Sequence, residues 1–274
     1  MSSENINVLV AGATGGVGQL VVAKLLDQQY SVRVLVRDRA KAEKLFGDRV
    51  EMVIGDIRQP ETLPPAMAGI NAVIAATGTT AFPSERWQFE SEPEKQGVFG
   101  IGEWLKLLLD KDYRDRTAQN SPQIVDADGI AHLVNAASDL RRFVFVSCCG
   151  ILRKDEFPFN LLNAFGVLDA KAQGEAAIQV SGLPYTIIRP ARLIDGPFTS
   201  YDLNTLLQAK TNGNRGVVLG TGDQLNGDTS RIDVAAACVA CLTSDAAANQ
   251  IFEMVNRGDR PAEINWPALF ETLA

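Results

Sequence analysis

The stretch from Ile6 to Gly18, INVLVAGATGGVG, constrains this chain more than any other. An apolar, β-branched run (Ile6, Val8, Leu9, Val10) stops in a cluster of glycines. An amphipathic stretch from Gln19 to Gln28 follows at once, with Leu20, Val21, Leu25 and Leu26 apolar. Strand, tight turn and helix in that order turn a glycine pattern into an expectation of dinucleotide binding. The turn needs backbone conformations and close approaches that a Cβ would block. The helix start presents unpaired N–H groups and a positive dipole end to a pyrophosphate. The spacing is Gly12-x-x-Gly15-x-x-Gly18 with Gly16 added, which differs from the G-x-G-x-x-G form; an ordinary strand–helix turn is the alternative reading.

The first half keeps this alternation. Strands are expected at Ser31 to Arg37, Val50 to Ile54, Ala72 to Ala76, Arg142 to Ser147 and Pro184 to Arg189. Helices are expected at Asp38 to Phe46, Pro60 to Ala68, Asn120 to Ala137 (Ser121 as cap, Pro122 in the first turn) and Ala164 to Val180. The purely apolar strand at Ala72 to Ala76 suits burial on both faces. The order predicts an α/β fold, a doubly wound parallel sheet with ligands beyond the carboxyl ends of its strands. After Pro190 shorter strands (Gly216 to Leu219, Ile251 to Val255) and helices (Asp233 to Leu242, Trp266 to Leu273) suggest a small lobe packed on the sheet. No linker run divides the chain, so residues 1–274 read as one domain: a cofactor-binding core to residue 190 and a substrate lobe at 191–274.

Residues 78–119 break the rhythm, with Trp87, Phe89, several glutamates, a short helix at Glu103 to Leu109 and a charged run to Arg116. Leaving the end of the fourth strand beside the expected cofactor, this insertion reads as a lid, a partner-docking element or a flexible loop.

The formal net charge of −7 argues against a nucleic-acid surface. No apolar run reaches the length of a membrane span. The polar start shows no secretory or transit pattern, so the expectation is a cytoplasmic protein, with peripheral membrane association left open. Cys238-x-x-Cys241 lies in a helical run, and His132 is the single histidine, so no metal site is expected. His132 reads as a packing or surface residue. Cys148 and Cys149 read either as buried small residues or as a proton donor or redox-sensitive thiol at a strand end.

Arg37 ends the second strand, where an NAD enzyme carries an acidic residue; arginine suits the 2′-phosphate of NADP instead. Arg39 and Lys41 add positive charge. Asp56 offers an acceptor for the adenine amino group, or a helix cap, and Ile57 covers the ring. Thr14 and Val17 in the glycine turn, and Ala76 and Thr77 at the end of the fourth strand, complete the expected cofactor contacts.

These stretches resemble an atypical short-chain dehydrogenase/reductase of the NmrA-like, Tic62-like kind found in cyanobacteria and plastids. The resemblance rests on Gly12-A-T-G-G-V-Gly18, Val36-Arg37, Gly55-Asp56, Phe145-V-S147, Gly166-V-L-D-A-Lys171 with Gly174-Glu175, Ser181-G-L-P-Y-T-I-I-R-P190 and the run from Arg192 to Asn204. It covers nearly the whole chain outside Phe89 to Gln119. It implies a Rossmann fold and NADP(H) in preference to NAD(H). In that family a serine, a tyrosine and a lysine form the catalytic core. Ser147 matches the serine and Lys171 the lysine, which also binds the nicotinamide ribose. Val167 stands where the tyrosine belongs and cannot transfer a proton. Tyr201, Asp169 or water could then serve as the acid, or the chemistry needs none. Pro190 and Arg192 are placed by resemblance at the nicotinamide end. Arg192 would pair with a substrate carboxylate, or with Asp195 or Asp233. The resulting expectation is an NADPH-dependent oxidoreductase on a small apolar or conjugated substrate. The alternative is a non-catalytic NADPH-binding redox sensor or photosynthetic-complex assembly factor, acting on a protein partner through residues 78–119.

Overall fold

The fold is taken from a computed structural model, which describes residues 6–83, 87–89, 101–194 and 215–273. Strand β1 (Asn7–Ala11) feeds helix α1 (Gly16–Asp27), and the alternation continues through β2 (Ser31–Val36), α2 (Arg39–Phe46), β3 (Glu51–Ile54), α3 (Pro64–Met67) and β4 (Ala72–Ala75). Helices α4 (Ile101–Leu109) and α5 (Lys111–Thr117) follow, then a π-helical segment at Gln123–Asp128 that runs into α6 (Gly129–Ala136). Strand β5 (Arg142–Val146), α7 (Phe159–Leu162), α8 (Val167–Val180), β6 (Tyr185–Pro190) and β7 (Arg192–Leu193) complete this part. The C-terminal residues supply β8 (Arg215–Gly220), β9 (Asp228–Thr229), α9 (Arg231–Ala240), β10 (Gln250–Asp259) and α10 (Trp266–Glu271).

Eight strands form one sheet in the order β3-β2-β1-β4-β5-β6-β10-β8. All neighbours are parallel except β10 and β8. Strand β1 lies between β2 and β4, so the order reverses there and a crevice opens beyond its carboxyl end. β4 and β5 are buried throughout, as expected of strands covered by helices on both faces. Each fully buried aliphatic side chain of this kind contributes about 1.5–3 kcal/mol.

Three elements differ from expectation. The helix expected from Asn120 to Ala137 begins with the π-helical segment, one residue looser per turn. The helix expected from Ala164 starts at Val167, because Gly166 takes a left-handed conformation, φ 78°, after a short 3-10 turn. Finally, β8 and β10 extend the sheet itself, while β7 and β9 pair separately. Of the insertion, Trp87, Leu107 and Ala118 pack with Phe165 as a small apolar cluster, and Phe89 bridges to Ala118.

Candidate functional site

The glycine turn is built as its sequence demands. Gly12 has φ +81°, and a Cβ there would stand 2.6 Å from the Ala76 carbonyl oxygen and 2.8 Å from Thr77 N. A Cβ on Gly18 would collide with the Gly12 carbonyl, so α1 crosses the turn at a distance only glycine permits. Gly15 N donates to Gly12 O at 2.9 Å, closing the loop ahead of α1. Among the described residues, a Cβ on Gly15 would meet only that carbonyl within 4 Å, and one on Gly16 only the side chain of Arg231, from the first turn of α9. The mouth of the turn therefore has a basic side chain beside it.

The cofactor residues expected beyond the turn gather at the same strand ends. Arg37 is exposed, one residue past β2, and lies 4.0 Å from Asp56. Thr77 Oγ1 is buried without a hydrogen-bond partner among the described residues. Ile57 is buried, and its carbonyl lies 2.8 Å from His132 Nδ1, which gives that histidine a packing role. Asp56 departs from expectation. Arg58 Nε donates to both of its carboxylate oxygens, at 3.0 and 2.9 Å, and Arg58 NH2 donates to Oδ2 at 2.5 Å. Burial pushes this carboxyl up, but the hydrogen bonds and charge of Arg58, aided by Arg37, hold it below its ordinary value. Asp56 thus braces a turn through Arg58, and Gln59 stands at the cap of the short helix that follows. An orphaned Thr77 hydroxyl, a cradle closed to any Cβ and an exposed strand-end arginine together fit a phosphorylated dinucleotide.

Two buried ion pairs form the chemical end of the crevice. Lys171 Nζ donates to Asp126 Oδ1 at 2.9 Å and approaches Val146 O at 3.5 Å. Burial works to discharge this lysine, and the charge and hydrogen bond of Asp126 hold its pKa above the usual value. Asp126 comes from the π-helical segment, and its second oxygen accepts from Thr79 N at 3.2 Å. Gly174 lets α8 pack directly on the Asp126 carbonyl, which sets the two charges face to face. Ser147 Oγ donates to Glu175 Oε1 at 2.5 Å, and Arg189 grips both oxygens of Glu175, at 3.0 and 2.5 Å. Lys171 and Ser147 therefore lie at one strand end but belong to separate pairs. Asp126 carried no sequence signal, because an expected regular helix gives no reason to single it out. Glu175 and Arg189 stood in recognised stretches without a role.

Val167 is buried against Ile151 and Leu168, so this position is filled by apolar packing. Asp169, an alternative acid, is bound by Lys154 at 2.5 Å and Asn163 at 3.0 Å. Burial raises its carboxyl, yet these partners hold it below the ordinary value, and a group so ionised is no acid. Burial pushes the thiols of Cys148 and Cys149 up to about 12. Both stay protonated at neutral pH, against the redox-thiolate alternative. Arg192 is exposed and pairs with Asp228 at 2.7 Å, while Asp233 is taken by Arg260 at 2.7 Å. The expected Arg192–Asp233 tie is thereby corrected. Pro190 ends β6 in register with Met254 of β10. Tyr201 and Asp195 lie outside the described residues.

With this geometry in place, the comparisons with known proteins agree. Residues 12–245 match the NAD(P)H-binding family model. Sanguinarine reductase of Eschscholzia californica is 32% identical over 98% of this chain and 96% of its own length. Photosystem II assembly factor Ycf39 of Trieres chinensis is 30% identical over 73% of this chain and 50% of its own length. Among solved structures, ChuY, an anaerobillin reductase from Escherichia coli O157:H7, superposes with a TM-score of 0.64 at 20% identity, covering 93% of this chain and all (100%) of that one. Citrobacter sp. triphenylmethane reductase complexed with NADP(H) gives 0.52 at 19% identity, covering 93% and 71%. No described helix is long and apolar enough to cross a membrane. From its glycine turn to its buried lysine, the chain belongs to the NAD(P)H-binding family of Rossmann-fold oxidoreductases, the atypical short-chain dehydrogenase/reductase relatives of sanguinarine reductase and Ycf39.

Proposed function

We propose that this protein is an NADPH-dependent reductase of a small conjugated substrate, working without the tyrosine of its relatives. The observation that carries the reading is the pairing of a complete dinucleotide cradle with a proton-donor position filled by the buried Val167. The turn from Gly12 to Gly18, with Thr14, Gly15, Gly16 and Val17, would hold the diphosphate. Arg37 would hold the 2′-phosphate, and Ala76, Thr77 and Pro190 would line the rest. Bound NADPH supplies a hydride. Lys171, kept charged by Asp126, would hold ribose hydroxyls rather than move a proton. A neutral ketone reduced here would develop an oxyanion without an acid to quench it. A conjugated acceptor spreads the arriving charge or takes its proton from water. Two relatives named as reductases, of sanguinarine and of anaerobillin, support the reductase assignment. The NADP(H) of the Citrobacter neighbour supports the choice of cofactor. We place the protein outside the membrane, in the cytoplasm.

The test is a titration with NADPH and NADH, then transfer of label from NADPH tritiated at C4 to conjugated acceptors. Saturable NADPH binding at least about tenfold tighter than NADH, a preference that Arg37→Ala removes, with label in product, is the expected result. Tight binding with no transfer to any acceptor favours the second reading, a non-catalytic NADPH-bound sensor or assembly factor docking through residues 78–119. That reading is favoured by identity to the assembly factor Ycf39.

A further inference from the structure

We propose that Cys149, Asp223 and Glu253 form a binding site for one divalent metal ion of the zinc class, which clasps the C-terminal lobe to the end of β5. The site stands apart from the reductase reading, and its failure would leave that reading intact.

The fold brings these three residues together from distant parts of the chain. Cys149 follows β5, Asp223 lies between β8 and β9, and Glu253 is in β10. All three are buried, and the sulfur and one carboxylate oxygen of each acid lie within 4.8 Å of one another. Tetrahedral zinc holds sulfur at about 2.3 Å and oxygen at about 2.0–2.2 Å, which sets its ligands about 3.5 Å apart. No separation therefore has to close by much more than about 1 Å. A thiol beside two carboxylates suits zinc, whereas magnesium and calcium take oxygen ligands.

Glu253 is the residue that points to a ligand. It is 1% exposed. Leu225 N donates to its Oε2, and Oε1 is buried with no hydrogen-bond partner among the described residues. A buried carboxylate oxygen left so is costly. Arg189, its neighbour across the strands, is already held by both oxygens of Glu175. Asp223 is fixed in place instead. Gly150 N donates to Oδ1 and Leu152 N to Oδ2, each at 2.7 Å, and Arg153 pairs with Oδ1 at 3.3 Å. Backbone donors of this kind orient a ligating carboxylate and leave lone pairs for a metal.

Charge points the same way. Among the described residues Asp223 and Glu253 face one cation, Arg153, so one buried negative charge is left without a counter-ion. A divalent ion that takes the place of the Cys149 proton makes the group neutral. The step is an exchange without oxidation or reduction: the S–H bond breaks, the proton goes to solvent, and a sulfur–metal bond forms. Burial and the two carboxylates push this thiol up to about 12, so its proton stays until a metal displaces it. The bound ion would tie the segment after β5 to the turn between β8 and β9 and to β10.

The test uses the full-length protein, freed of metal by a chelator and titrated with Co2+, then with Zn2+. A thiolate on cobalt gives a near-ultraviolet charge-transfer band. We expect that band to saturate at a single equivalent and to disappear when Zn2+ is added. The melting temperature should rise by at least about 5 °C at about a hundredfold excess of Zn2+ over its Kd. Cys149→Ser should lose the band and Cys148→Ala should keep it. Glu253→Gln still accepts from Leu225 N and removes the uncompensated charge. It should therefore melt no lower than the wild type without metal, yet lose the response to zinc. A glutamate with a purely structural role would give the reverse. No band in the wild type, a band that persists in C149S, or a zinc response retained in E253Q overturns the proposal.

Discussion

The two ends of the crevice are made of different materials. At the β1–α1 turn the recognition elements are backbone groups, and what matters is the absence of side chains at Gly12 and Gly18. At the β5–α8 end they are charged side chains held in buried pairs, Lys171 with Asp126 and Ser147 with Glu175 and Arg189. A backbone site is written in local sequence, because the consecutive residues from Gly12 to Gly18 build it. A side-chain site draws on β4, the π-helical segment, β5, α8 and β6, and exists only once the sheet has brought them together. The first is rigid by steric exclusion; the second is held by electrostatic balance and can be retuned by one substitution.

The largest effect expected breaks the first region. Gly18→Ala drives a Cβ into the Gly12 carbonyl, and backbone cannot yield there. It should destabilise the protein by more than about 4 kcal/mol, or prevent folding, as read by urea denaturation. In the second region, Asp126→Ala leaves Lys171 charged, buried and unpaired. A loss of about 3–5 kcal/mol is expected in the same assay. Asp126→Asn should lose less, since the amide oxygen still accepts. Insertion of the family's tyrosine, Val167→Tyr, tests whether that position is free. It is packed by Ile151 and Leu168, so overpacking of about 1–3 kcal/mol is expected without a gain in ketone reduction. A mutant that gained ketone reduction at wild-type stability would contradict the packing argument.

Arg37→Ala sharpens the comparison at the exposed rim. NADPH affinity should fall about tenfold with NADH affinity and melting temperature little changed, because the side chain is half exposed and its ion-pair partner among the described residues is Asp56, at 4.0 Å. The smallest effect concerns the thiols. Cys148, Cys149 and Cys238 are pushed up to about 12 by burial, and Cys241 lies well above its ordinary value. At pH 8 a thiol titrating near 12 is ionised on the order of once in ten thousand. Iodoacetamide should therefore leave the folded protein unmodified over an hour and label it fully in urea, as counted by intact mass. Rapid labelling of one thiol in the folded state would return Cys148 or Cys149 to the list of reactive groups.

Much of the fold was legible before any coordinates. The apolar strand cores and the amphipathic helices between them carry distinct periods, and β1 to β6 follow that pattern closely. What escaped was the π-helical segment, since an extra residue in a turn leaves no mark on hydrophobic period. With it went Asp126. The ion pair of Asp56 was not legible either, because a carboxylate after a strand is equally suited to a ligand or to a neighbouring cation, and Arg58 two residues on binds it. Arg192 found Asp228 across the β7–β9 pair, a contact far apart in the chain.

The sequence by itself determined the strand–turn–helix start, the family and the valine at position 167, because each depends on residue type at fixed local spacing. Only the tertiary structure decided which charges meet. Ser147 donates to Glu175, Lys171 pairs with Asp126, and Arg231 lies beside Gly16, on elements 28, 45 and 215 residues apart. The physical reason is burial. In the low dielectric between α8 and the sheet, every charge must find a partner, and the partner is chosen by packing rather than by sequence distance.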